Sequence, residues 1–236
     1  MAKAQNQTRI QSGQINRAVV TAISGIAGCL IIASGLYASA THYTRSMEYS
    51  PKNHFISELG LASASEYSFV FNICLGIGGL LLMMFTNGLG IYLQKNPVAW
   101  YASYIGMAAT LSFSAIGYFT ADTWTAHRNA ALVFFSGAMI SIVLFSYCIW
   151  QNKQRRLHHF IALQGFIIAF IYVVVLVWPK ELLLQSVNDP QNFIRPELWG
   201  LTVLEWMYCF MIGSWILSVS GDILYVWSKT KHTPQP

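Results

Sequence analysis

The residues of this chain whose types could do chemistry are few: His54, Ser57, Glu58, Glu66, Asp122, His127, Arg128 and Glu205. They contain the parts of an acyl-transfer or hydrolytic site. His127 could take a proton as general base, Glu58 or Glu205 could be its acidic partner, and Ser57 or a metal-bound water could attack. His54, Asp122 and His127 are an alternative metal set, although they show no zinc-type ligand spacing. Each signal also has a plainer reading. Ser57-Glu58 has the composition of a helix cap or turn, and Asp122 with His127, five residues apart, that of a hydrogen-bonded pair fixing a loop. Glu205 could be a structural carboxylate bonded to Ser, Tyr or Arg of a neighbouring helix.

The elements that must position these residues are membrane helices. The chain of 236 residues is 55% hydrophobic and only 10% charged, with a mean hydropathy of +0.46, whereas a soluble domain carries roughly 25% charged residues. Its apolar runs are long enough to cross a hydrocarbon core of roughly 30 Å as helices. The expected fold is all-α, a polytopic membrane bundle of six transmembrane helices over residues 18–40, 67–93, 98–120, 129–150, 160–178 and 198–227. A polar segment (1–17) precedes it and a polar tail (229–236) follows. Ile26-Ala-Gly-Cys29 looks like a lipoprotein cleavage box and Ala38-Ser-Ala40 like a signal-peptidase site, but Leu30-Ile-Ile-Ala continues the apolar run, as a retained span requires.

Charge sets the expected orientation. Lys3, Arg9, Arg17, Lys95, Lys153, Arg155, Arg156, Lys229 and Lys231 fall on one side of a six-span chain, against Arg45, Lys52, Arg128, Lys180 and Arg195 on the other. Both termini are therefore expected in the cytoplasm. The net charge of +5 is spread over span ends rather than gathered on a soluble patch, so nucleic acid is not an expected partner. Cys29, Cys74, Cys148 and Cys209 sit in separate apolar runs as packing residues. Gly76-x-Gly78-Gly79 lacks the preceding strand of a nucleotide-binding loop, and no cofactor is expected. His158-His159 reads as a headgroup contact, and Trp100, Trp150, Trp178, Trp199 and Trp227 as interface anchors.

Antiparallel spans would bring the long polar loop 41–66, the cluster 121–128 and the outer end of the last helix to one mouth. Glu205 would lie roughly 10 Å below that end, at a rise of about 1.5 Å per residue. An ionisable group at that depth is costly and is a functional candidate by default.

Phe55-Ile-Ser57-Glu58-Leu-Gly60, followed by Ser65-Glu66 and Phe69-Val-Phe71-Asn72, resembles the first outer loop and second span of the six-span DRAM/Frag superfamily. Gly117-Tyr-Phe119 through His127 to Phe134-Phe135 is similar to its third-to-fourth span junction, and Glu205-Trp206 to the Glu-Trp of its last span. Ser65 departs from the proline usual before Glu66. The resemblance adds Trp206 to the site residues and implies lipid handling, with membrane lipids as partners and, by likeness to bacterial members, a bacterial cell membrane as location. The expectation is a lipid-interacting membrane protein with an outward-facing acidic site. A membrane-embedded acyltransferase or hydrolase is the alternative. A transporter ranks third because no inverted repeat or matched pair of broken helices is visible.

Overall fold

The computed structural model describes residues 2–45, 48–94, 96–152 and 157–232, with side chains described between 17 and 229 of these. Lys95, Lys153, Arg155 and Arg156 of the charge count lie outside the described residues, as do the side chains of Lys3, Arg9 and Lys231. A backbone in hydrocarbon must satisfy its own amides and carbonyls, and the apolar runs accordingly form helices. These are α1 (Ala2–Thr41), α2 (Ser68–Tyr92), α3 (Val98–Ile116), α4 (Trp124–Trp150), α5 (His159–Val177), α6 (Glu181–Asn188) and α7 (Gly200–His232). A 3-10 turn, Ile56–Gly60, lies between α1 and α2. Among the described residues the only extended pairing is an isolated bridge between Tyr43 and Ser65.

Among the described residues, five stretches are long and apolar enough to cross a membrane: Arg17–Thr41, Ser68–Tyr92, Trp124–Trp150, His159–Val177 and Gly200–Lys229. The expected third span is present as α3 but is not one of the five, because Tyr101, Ser103, Tyr104, Thr110, Ser112 and Ser114 dilute its apolar content. Two boundaries differ from expectation with consequences for the site. α3 stops at Ile116 and α4 already begins at Trp124, which puts His127 and Arg128 on a helix rather than in a loop. The short α6 occupies a stretch expected to be loop.

The six long helices form a closed ring. Each packs on its neighbours in sequence, and α7 closes the circle against both α5 and α1. Small residues set the spacing: a Cβ on Gly28 would meet Leu82 Cδ2 at 3.0 Å and Gly78 O at 3.2 Å, so α1 and α2 approach backbone to backbone. The segment from His42 to Glu66 folds back over one end of the ring as a lid. Thr44 N donates to Ala64 O (2.9 Å) and Glu66 N to His42 O (3.3 Å). Ser39 Oγ, on α1, donates to Leu59 O at 2.7 Å, and Asn72 Nδ2, on α2, to Gly60 O at 3.0 Å. Position 60 must be glycine for this approach, since a Cβ would lie 2.5 Å from Asn72 Oδ1.

Candidate functional site

The lid's 3-10 turn is irregular backbone at the end of a membrane bundle, and every unpaired amide or carbonyl there is expensive. Polar side chains, Glu58, Glu205 and Trp206 of the sequence candidates among them, meet that need. Running along the chain, Asn53 O accepts from the Arg195 guanidinium and His54 N donates to Ser50 O at 2.9 Å. Trp206 Nε1 donates to His54 O (3.1 Å), Phe55 N donates to Glu58 Oε1 (2.9 Å), and Tyr49 OH donates to Phe55 O (3.1 Å). Ile56 N then donates to Glu205 Oε2 at 2.9 Å. From Asn53 O to Ile56 N, each consecutive backbone polar atom has a partner, and three of those partners come from the stretch 195–206.

Glu58 is held by Arg195 in a two-pronged ion pair, Nη1 to Oε1 at 2.9 Å and Nη2 to Oε2 at 2.8 Å. The two side chains are only 18% and 11% exposed, which makes this a buried pair. Arg195 also lies over the Trp199 ring, 5.9 Å from its centroid. Trp199 N donates to Lys52 O at 2.8 Å, and Asn53 Nδ2 donates to Pro196 O at 3.2 Å, so the segment before α7 is laced to the lid. Trp199 is 3% exposed and props Phe55 at 4.9 Å, which corrects its assignment as an interface anchor.

His54 is buried between Tyr43 and Tyr49, with ring centroids 5.3 and 5.2 Å away. Burial, then the Arg195 charge, pushes its pKa below the usual imidazole value, against the opposing pull of Glu58. Burial likewise pushes up the phenols of Tyr43 and Tyr49, with Glu58 adding to both and Glu205 to Tyr49. His54 Nδ1 lies 3.2 Å from Ser50 N and 3.3 Å from Ser50 O, so it accepts from the amide in one tautomer and donates to the carbonyl in the other.

The remaining candidates are placed elsewhere. His127 is buried on α4 and its Nδ1 bonds Phe119 O at 2.8 Å. Asp122 is exposed and accepts from Thr120 Oγ1 at 3.3 Å, so the expected Asp122–His127 pair is not formed. Arg128 and Glu66 are exposed, and Ser57 is half-buried. Among the described residues, no hydrogen bond or ion pair links His127 to Ser57, Glu58 or Glu205. Nor do any three His, Cys, Asp or Glu side chains gather to hold a metal, and His54, Asp122 and His127 sit in separate networks. At the opposite end, His158 pairs with Asp222 at 2.7 Å while its side chain stays exposed. Arg195 is the residue the sequence reading missed. The signal available was the run of acids Glu48, Glu58 and Glu66 in the segment 41–66, which called for a cation.

Beneath the lid the ring encloses a cavity of about 680 Å³, lined by α1, α2, α3, α4 and α7 and roofed by Ile56 and Trp206. Its wall is apolar in effect as well as composition. The hydroxyls of Thr86, Thr110 and Ser141 are spent on Leu82 O (3.1 Å), Gly106 O (2.9 Å) and Ala102 O (2.8 Å). The cavity is partly open, and its lining residues Ala33 of α1 and Phe210 of α7 are both exposed, Phe210 by 67%.

A ring of helices containing five of span length and apolarity, with an apolar interior, defines a helical multi-pass integral membrane protein. Residues 26–220 match the family described as protein of unknown function (DUF998), and the chain belongs to it. No curated protein and no solved structure matches it.

Proposed function

We propose that this protein binds one hydrocarbon chain of a membrane amphiphile in the cavity beneath its lid. In this reading the chain crosses the membrane six times, both termini are cytoplasmic and the lid faces outward. The observation that carries it is the cavity itself: about 680 Å³, with an almost wholly apolar lining and partly open. That volume is in the range of roughly 300–1,000 Å³ that encloses one drug-sized molecule, the size of a single chain with a small head rather than of a two-chain phospholipid. The resemblance of the Ser57-Glu58-x-Gly60 and Glu205-Trp206 stretches to a superfamily concerned with lipid supports the same reading.

Among the described residues no hydrogen bond joins His127 to Glu58 or Glu205, so chain binding is placed ahead of the acyltransferase or hydrolase alternative. The test is lipid retention. Gly213 lines the cavity, and a Cβ there would meet nothing within 4 Å, so a larger side chain fills open space. Exchanging glycine for leucine in a helix interior also favours the helix by roughly 1 kcal/mol. Native mass spectrometry of the purified protein is expected to show a single-chain amphiphile on the wild type and its loss in Gly213→Leu. Equal occupancy of the two, or none in either, overturns the proposal.

A further inference from the structure

The carboxylates of the bundle and its lid are not treated alike. Glu58 has the Arg195 guanidinium and Asp222 has His158, each at ion-pair distance. Glu205 has neither. Among the described residues its donor is the Ile56 amide on Oε2, and no cation lies within ion-pair distance. A carboxylate that keeps its charge out of water needs a compensating charge or a full set of donors, one amide is neither, and without them the group takes up a proton.

Its position says where the missing group would come from. Counting at 3.6 residues per turn, Glu205 shares a face of α7 with Cys209, Ile212 and Ile216, all of which line the cavity. The residue whose amide it holds, Ile56, is part of the roof. Glu205 is thus next to three lining residues, Ile56, Trp206 and Cys209, without itself lining the cavity, and its second oxygen, Oε1, has no hydrogen bond among the described residues. Entry of a hydrocarbon chain from the bilayer gains little hydrophobic free energy, because lipid tails are as apolar as the cavity wall. Selectivity must come from the polar end.

Building on the chain-binding reading above, we infer that the ligand is a single-chain amphiphile whose end carries a protonated primary amine, as in a long-chain amine or sphingoid-type base, and that Glu205 receives its ammonium. The ammonium supplies three donors and one positive charge, matching an acceptor-only carboxylate beside the lid. A fatty acid would set a second negative charge against Glu205 and is disfavoured. A fatty alcohol would offer a hydrogen bond without the charge.

The experiment uses the full chain in phosphatidylcholine nanodiscs and measures equilibrium binding of hexadecylamine, hexadecanol and hexadecanoic acid. The expected order is amine over alcohol by about tenfold or more, as an ion pair a little above 1.4 kcal/mol better than a neutral hydrogen bond gives, and alcohol over acid. Glu205→Gln keeps an oxygen for the Ile56 amide and is expected to bring the amine down to the alcohol's affinity while leaving the alcohol unchanged. If amine and alcohol bind alike in the wild type, the ammonium assignment is overturned and chain binding stands. If no compound binds, or Gly213→Leu leaves binding untouched, chain binding itself falls. The wild-type comparison of the three ligands decides the question even if Glu205→Gln does not fold.

Discussion

At the scale of the residue, the Glu58–Arg195 pair carries the largest single consequence. Both side chains are mostly out of water, and Arg195 additionally holds Asn53 O and stacks on Trp199. Removing one partner of such a pair leaves an uncompensated charge, at a cost of about 3–5 kcal/mol, whereas replacing both with neutral groups of similar volume costs much less. Arg195→Met is therefore expected to destabilise the protein by that amount, and Glu58→Gln by less because its amide oxygen still accepts from Phe55 N. The double variant Glu58→Gln/Arg195→Met should be more stable than Arg195→Met alone, with a coupling energy on the order of 2–3 kcal/mol. Equilibrium unfolding of all four proteins by steric trapping measures it, and additive effects would show that the pair does not act as a unit.

At the scale of the element, the lid answers to pH through His54. Its folded-state pKa is lowered, by burial and by Arg195, with Arg45 adding to that and Glu58 and the Ser50 backbone opposing it. The unfolded chain thus binds a proton at higher pH than the folded one, and stability is fully present above the ordinary imidazole pKa of about 6.5. It is lost as pH falls from there through the folded-state value, because protonation puts a positive charge on a buried ring beside Arg195. Amide exchange in the lid, corrected for its intrinsic pH dependence, is expected to be faster at about pH 5 than at about pH 7.5, and His54→Gln should flatten that difference. An unchanged pH dependence in the variant would assign it to another group. The lid also marks how far the sequence could be read. Glu58 and Glu205 were legible because an acid at or near membrane depth demands a partner, and Trp206 through the resemblance of Glu205-Trp206 to a family motif. Arg195 was not, because 137 residues separate it from Glu58 and a cation in a polar loop reads as solvated. His127 was misplaced for a related reason: α4 starts with polar residues, so its first turn looks like loop. α6 is only eight residues long, and Leu182-Leu-Leu184 is too short a run to announce a helix.

At the scale of the whole molecule, the remaining question is whether α3 crosses the membrane with its neighbours. Its 19 residues span roughly 28 Å at about 1.5 Å each, close to the hydrocarbon thickness. Its polar side chains are turned to account inside the bundle: Ser103 Oγ donates to Thr86 O (3.2 Å), Ser114 Oγ to Gly76 O (3.0 Å) and Ser112 Oγ to Ala130 O (2.9 Å). A hydropathy sum counts these hydroxyls as unfavourable, whereas in place they are satisfied interhelical donors. Connectivity points the same way. α2 and α4 both start at the lid end, so the chain must return from the far end of α2 before α4 can begin, and α3 is the only element between them. In a background with Cys29, Cys74, Cys148 and Cys209 replaced by alanine, single cysteines can be placed at the exposed positions Ala62, Gln94, Thr123 and Gln151. With six crossings and an outward lid, Ala62 and Thr123 are expected to react with a membrane-impermeant maleimide in intact cells, and Gln94 and Gln151 only after permeabilisation. If α3 stays on one side, Gln94 and Thr123 will label alike. If the orientation is reversed, the two pairs will exchange behaviour while α3 still crosses, so the labelling separates the count of spans from their direction.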